Sequence, residues 1–274
     1  MSKKVSMDSG TSELMVETRD RVAIITFNRP EARNALSDGL TSGLRRAIKY
    51  FADDPQTGSI LITGAATAFC AGSDVKAMHQ SRPKTKATFE QQLEGLRVAQ
   101  RMLTGALVQV RKPTVAAIAG AAAGAGLALA LACDIRIAAR SAILTTAYAR
   151  IGLSGDYGIA WLLTRVAGLA RARELMFLSE RIDAQRAESL GLVNRVVPDA
   201  SLREAAFGLA ASLAEGPPIA LSLMKDNLDH AVTSTFFESL DLEASNVLKS
   251  ERTLDYREGV RAFAEKRKPV FEGH

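Results

Sequence analysis

The sequence predicts an α/β fold in which strands alternate with helices and a helical region closes the chain. Three observations predict it. Apolar and β-branched runs alternate with amphipathic helical stretches as far as Val197, the pattern that favours right-handed crossovers between parallel strands. Two of those runs end in segments of small residues, Ala68-Phe69-Cys70-Ala71-Gly72-Ser73-Asp74 and Gly120-Ala121-Ala122-Ala123-Gly124-Ala125-Gly126. Beyond Pro198 the pattern turns almost wholly helical.

Taken in order, Leu14 to Glu17 and Val22 to Phe27 read as a hairpin around Thr18-Arg19-Asp20-Arg21. Ser37 can cap a helix with Leu40, Leu44, Ala47, Ile48 and Phe51 on one face. A strand follows at Ser59 to Thr63, then the first small-residue turn and its helix. Phe89, Leu93, Leu96, Leu103, Leu107 and Val110 form one stripe of a long helix that Lys112-Pro113 ends. Thr114 to Ile118 is the next strand, leading into the second turn and the helix Leu127 to Leu131. Asp134 to Ala138, Ala142 to Thr145 and Val193 to Val197 read as strands, with Trp161 to Val166 and Arg171 to Leu178 helical. Phe236, Phe237, Leu240, Ala244, Val247 and Leu248 mark an amphipathic stripe near the end. The expected division is a flexible polar tail at 1–13, a core domain carrying the site at 14–198, and a helical C-terminal region at 199–274.

Composition removes several function classes. The 274 residues are 47% hydrophobic, enough for a sizeable core. The net charge of +5 comes without a basic block, so it suits small polyanionic ligands and gives no sign of nucleic acid binding. Cys70 and Cys133 are too far apart for a zinc-type pair and too few for a disulfide framework. With three histidines, His79, His230 and His274, no metal site is expected. The uncharged run from Thr114 to Cys133 is long enough to span a bilayer, but Gly120, Gly124 and Gly126 interrupt it. A buried strand–turn–helix explains it better, and the chain is expected to be cytoplasmic.

The two small-residue turns carry the chemistry. Such turns expose backbone N–H groups and let a ligand approach the main chain. At a helix N-terminus those donors also meet the positive end of the dipole. Two of them converging on one point would stabilise a developing oxyanion.

Together with Asn28-Arg29-Pro30-Glu31-Ala32-Arg33-Asn34-Ala35-Leu36, these turns resemble the crotonase family of enoyl-CoA hydratases and isomerases. Ile151-Gly152-Leu153, Trp161-Leu162-Leu163, Gly191-Leu192-Val193 and Glu258-Gly259 through Lys266-Arg267-Lys268-Pro269 continue the match, from about Leu14 to Phe271. The resemblance implies a crotonase-type spiral of β-β-α turns with a helical C-terminal oligomerisation region. It implies acyl-CoA thioester substrates, with coenzyme A as part of the substrate rather than a cofactor, and a homotrimer or dimer of trimers. By position, the oxyanion donors would be the amides of Ser73 and Ala125.

Family hydratases carry two glutamates that hold the added water. At the matching positions stand Ala128 and Tyr148. Alanine transfers no proton, and a phenol with a pKa of about 10 is a poor base. One acid remains in a suitable loop, Asp156, with Tyr157 and Leu153 as an apolar wall that would raise its pKa. Several family members place a catalytic aspartate there, and one carboxylate suffices for a 1,3-proton shift. Tyr148, Ala128 and Tyr157 would then line the pocket. Asp74 reads as a helix cap, Cys70 as a buried thiol, and Glu90 and Glu94 as a solvated face.

For coenzyme A, the resemblance implies contacts at Glu31, Ala32, Arg33, Ala71, Ser73, Asp74 and Val75, with Phe263 and Lys266 reaching a neighbouring subunit's ligand. Arg33 offers a guanidinium for phosphate or adenine. The favoured reading is a double-bond isomerase. A hydratase with a non-standard acid and a catalytically silent CoA-binding or RNA-associated protein stay open.

Overall fold

The computed structural model describes residues 5–74 and 87–274. β1 (Val5–Ser6) pairs antiparallel with β2 (Leu14–Arg19), which pairs antiparallel with β3 (Val22–Phe27). The hairpin turn is tighter than the four residues expected. Asp20 and Arg21 alone make it, at φ of 50° and 61°, the left-handed pair that suits the twist of two paired strands. Between β1 and β2, Ser9 is buried and donates to the carbonyls of Thr11 and Leu14, each at 2.7 Å.

From β3 the chain winds through repeated β-β-α steps. β4 (Ser59–Gly64), β6 (Thr114–Ile118) and β8 (Ile135–Ala139) add in parallel to a seven-stranded sheet. β5 (Ala68–Cys70), β7 (Ala121–Ala123) and β9 (Ile143–Thr145) build a smaller sheet beside it. β10 (Ile182–Asp183) closes the small sheet and β11 (Arg195–Val197) the large one. The orders are β1-β2-β3-β4-β6-β8-β11 and β10-β9-β7-β5. This is the expected α/β spiral. The second small-residue segment differs from a simple turn, because Ala121–Ala123 is itself a strand between β5 and β9. Alanine has little strand preference, so the pairing partners decide it.

Helix α1 (Asp38–Asp53) starts where expected, with the Ser37 hydroxyl accepting from the Leu40 amide at 3.0 Å. Its predicted face, Leu40 to Phe51, is buried. Helix α2 (Phe89–Gln100) opens with a reciprocal capping box between Thr88 and Gln91, yet buries no residue. A π-helical segment, Arg101–Gly105, joins it to α3 (Ala106–Gln109). The wider π turn rotates the apolar stripe between its two halves. Leu103, Leu107 and Val110 therefore enter the core while Phe89 and Leu96 stay exposed.

Helix α4 (Ala125–Leu131) is buried along its whole length. The two helical stretches expected around Trp161 and Arg171 are one element, α5 (Ile159–Leu178), kinked at Gly168 with φ 76°. After α6 (Ala184–Ser189) come α7 (Leu202–Ala214), α8 (Pro218–Ala231), α9 (Phe236–Glu251) and α10 (Leu254–Ala264).

Two cores flank the large sheet, and alternate strand residues serve each. Ala23, Ile25, Ile60, Ile62, Ala116 and Ile118 face the inner core with α1, α4 and the small sheet. Val22, Leu61, Val115, Ala117 and Ile137 face the outer core, where α7 lays Leu202, Ala206, Ala210 and Ala214 on the sheet. A sheet covered on both faces explains why these strands read as unbroken apolar runs. Asp134 links the start of β6 to α8, accepting from the Thr114 amide at 2.7 Å and from Lys225 Nζ at 2.8 Å. Among the described residues no single helix is long and apolar enough to cross a membrane.

Candidate active site

The first turn is set by a buried polar residue. Asn34 is fully buried with φ 57°. Its side-chain nitrogen donates to the carbonyls of Ala65 and Ala68 at 3.0 and 2.8 Å, and its oxygen accepts from the Arg29 amide at 2.9 Å. That clamp brings the Pro30–Ala32 turn against the end of β5. The Ala71 amide donates to Arg33 O at 3.0 Å and the Leu36 amide to Gly72 O at 2.8 Å. Arg29 adds a charged strut, reaching Glu13 at 2.9 Å and Asp74 at 3.3 Å.

The two small-residue segments meet. β5 and β7 run parallel, with Ala68 opposite Ala121 and Cys70 opposite Ala122. A methyl group at Gly126 would lie 2.2 Å from the Cys70 carbonyl oxygen, so only glycine fits between them. At Gly72, φ is 91° and a methyl would stand 2.7 Å from Ala123 O and 3.5 Å from the Ala125 amide nitrogen. Ser73 follows Gly72 directly, so its amide and that of Ala125 belong to one patch of main chain. Ala125 opens α4, where the first amides have no intrahelical acceptor. Among the described residues neither amide has a hydrogen-bond acceptor.

The acidic loop closes onto the same patch. Tyr148 is buried on a short 3-10 turn, Tyr148–Ile151. A methyl at Gly124, next to Ala125, would be 3.8 Å from the Tyr148 hydroxyl oxygen. That hydroxyl donates to Asp156 Oδ1 at 2.5 Å. Burial pushes the Asp156 carboxyl above the usual range, and the Tyr148 hydrogen bond works in the opposite direction. Burial, followed by the adjoining carboxylate, also drives the Tyr148 phenol upward. Tyr157 is half-buried against the core, whereas Leu153 is half-exposed.

The remaining candidates fall into place. Cys70 is fully buried and its thiol is pushed up to about 12, chiefly by that burial, so it is no nucleophile at neutral pH. Glu90 and Glu94 stay on the exposed face of α2, with Glu94 3.7 Å from Arg97. Glu31 and Arg33 are exposed beside half-buried Ala32, and Ala71, Ser73 and Asp74 are half-buried. Phe263 is almost wholly exposed on α10, and Lys266 follows that helix at φ 54°. Val75, His79 and the helix expected after Asp74 lie outside the described residues.

A family model described as enoyl-CoA hydratase/isomerase matches residues 17–274. The chain belongs to this family. It is 38% identical to 1,2-epoxyphenylacetyl-CoA isomerase of Escherichia coli K12, over 92% of this chain and 95% of that protein. It is 35% identical to the mitochondrial enoyl-CoA hydratase of Pongo abelii, over 92% of this chain and 83% of that protein. The crystal structure of an enoyl-CoA hydratase from Bacillus anthracis superposes with a TM-score of 0.87 at 32% identity, covering 96% of this chain and 100% of that one. The spiral described above is thus the crotonase fold, and acyl-CoA thioesters are consistent substrates for this member of the hydratase/isomerase family.

Two features escaped the sequence reading. The Tyr148–Asp156 contact has no sequence rule behind it, since the two residues are joined by an irregular glycine-rich loop. The Asn34 clamp had one available signal: a polar residue between turn and strand in Arg33-Asn34-Ala35-Leu36, which could have been read as an internal hydrogen-bonding group.

Proposed function

We propose that this family member is a double-bond isomerase of unsaturated acyl-CoA thioesters. Asp156 carries the proton, and the amides of Ser73 and Ala125 hold the enolate oxygen. The observation that carries this reading is the placement of Asp156. Its carboxylate is bonded to Tyr148, whose hydroxyl sits beside Gly124 at the start of the Ala125 helix. The two positions where family hydratases would hold water are a fully buried alanine, Ala128, and the Tyr148 phenol.

With a 3-enoyl thioester, the Asp156 carboxylate takes a proton from Cα. The C–H electron pair moves into a dienolate whose negative charge rests on the thioester oxygen. Two preorganised amides facing that oxygen would supply the stabilisation, each typically worth about 3–4 kcal/mol. The protonated Asp156 then returns its proton at Cγ, leaving the double bond between Cα and Cβ. A raised carboxyl pKa suits both halves, because the group must be a base first and an acid second.

For the coenzyme, the exposed Arg33 guanidinium would meet a phosphate or the adenine. The backbone of Glu31, Ala32, Ala71, Ser73 and Asp74 would line the pantetheine arm. The E. coli relative named as an isomerase of a phenylacetyl-type thioester supports including ring-bearing acyl groups among the substrates.

The test is a panel of 2-enoyl-, 3-enoyl- and cyclic unsaturated acyl-CoAs with the parent chain and Asp156→Asn. The parent should convert 3-enoyl to 2-enoyl thioester. Asp156→Asn should lose at least about 10²-fold in kcat with KM within a few-fold. Parent-like turnover by that variant would place the proton carrier elsewhere.

A further inference from the structure

Asp156 sits in a loop that does little to hold its side chain. Gly152, Gly155, Tyr157 and Gly158 have φ of 70°, 118°, 50° and 76°. Among the described residues, the one hydrogen bond to the Asp156 carboxylate is that from the Tyr148 hydroxyl. Tyr148, by contrast, stands on an anchored platform. The Thr146 hydroxyl donates to Leu175 O at 2.7 Å, the Ala149 amide to Ser179 Oγ at 3.2 Å, and the Leu153 amide to Tyr148 O at 3.0 Å. Tyr148 therefore ties the loop to the scaffold twice, once by its carbonyl and once by its hydroxyl.

We propose that Tyr148 is a positioning residue, whose hydroxyl occupies Oδ1 of Asp156 and leaves Oδ2 as the oxygen that exchanges the substrate proton. The inference rests on Asp156 being the proton carrier. It goes further by giving a function to the tyrosine that replaces a family glutamate. A carboxylate on a glycine-rich loop would otherwise sample several rotamers, and misplacement of a reacting group by about 1 Å can cost on the order of 10²-fold. The phenol also donates to the charged form of the carboxyl, offsetting part of the burial that opposes ionisation. The other titratable group acting on this pair is Tyr157, on which Asp156, Arg45 and Asp38 on α1, and Cys70 on β5 act in turn. None of them replaces the hydroxyl.

The test compares Tyr148→Phe with Asp156→Asn in the full chain. Phenylalanine keeps the ring in its buried place and deletes the hydroxyl that bonds Asp156. Tyr148→Phe should lower kcat by roughly 10- to 100-fold with little change in KM. It should also move the acid limb of kcat/KM to higher pH, because a base active when deprotonated now needs a higher pH to ionise. Carbon-13 NMR of the Asp156 carboxyl, identified by its loss in Asp156→Asn, reads the same shift without turnover. If Asp156→Asn is inert while Tyr148→Phe keeps the parent kcat, acid limb and carboxyl titration, the positioning role is wrong and the isomerase reading stands. If Asp156→Asn retains turnover, the proton carrier lies elsewhere and Tyr148 has no reacting group to position, and an unmoved carboxyl titration in Tyr148→Phe would then overturn the contact as well.

Discussion

Asp156 carries its charge against the preference of its surroundings. Burial holds its carboxyl pKa above the ordinary value, so the folded chain binds that proton more tightly than the unfolded chain does. Stability contributed by this group is therefore greatest in acid and declines as pH rises from the unfolded pKa through the folded one. Asparagine keeps the shape and still accepts from Tyr148 without a charge to desolvate. Asp156→Asn is thus expected to melt above the parent at pH 7, and the gap should close below the unfolded carboxyl pKa. Thermal melts between pH 3 and 8 check this, and a variant less stable at neutral pH would contradict it. Gly126 represents the opposite case, a residue chosen for fit. Gly126→Ala places a methyl 2.2 Å from the Cys70 carbonyl and should cost about 1–3 kcal/mol in urea unfolding. Both positions were visible in the sequence, Gly126 as a small residue in a turn and Asp156 through its family place. The partner of Asp156 was not, because contacts across an irregular loop follow no period.

Elements were legible where periodicity and burial agree. β3, β4, β6 and β8 have both faces covered, and α1 has one apolar face and a serine cap, so all were readable from pattern alone. Legibility failed where pairing or helix geometry overrode local preference. β7 is three alanines held by its neighbours, and the π segment after α2 broke an otherwise continuous stripe. The turn carrying Ser73 depends on another such non-local device, the Asn34 clamp. Asn34→Ala would remove two donor bonds and one acceptor bond in a fully buried place. Leaving such partners unmet should lower stability by about 2–4 kcal/mol, measurable by urea denaturation. Because the clamp holds the turn beneath Ser73, turnover should fall further than the loss of folded protein explains. A variant with parent stability would show that the turn is held by other contacts.

At the scale of the whole molecule, the single chain leaves apolar surface that its own fold does not cover. Phe236 and Phe237 on α9 are each 74% exposed, and Leu240, Val247 and Leu248 continue the same helix outward. Phe263 and Val260 on α10 and Phe177 at the end of α5 are also exposed. Large apolar side chains grouped on one exposed helix, as on α9, mark a surface suited to association. Helix α9 also packs against α8, which leaves these residues uncovered. Closed symmetric assembly is the ordinary way such a surface is buried. The family resemblance implies a trimer or a dimer of trimers, so the chain is expected to sediment as one of these at micromolar concentration. Replacing Phe236 and Leu240 together with aspartate puts charges into the patch while leaving the described core untouched. That double variant should sediment as a smaller species with near-parent helical content by circular dichroism. If Phe263 and Lys266 complete a neighbouring subunit's CoA site, its KM for acyl-CoA should rise on dissociation while the Tyr148–Asp156 pair stays intact. A parent chain that runs as a clean monomer would refute the assembly and, with it, the shared site.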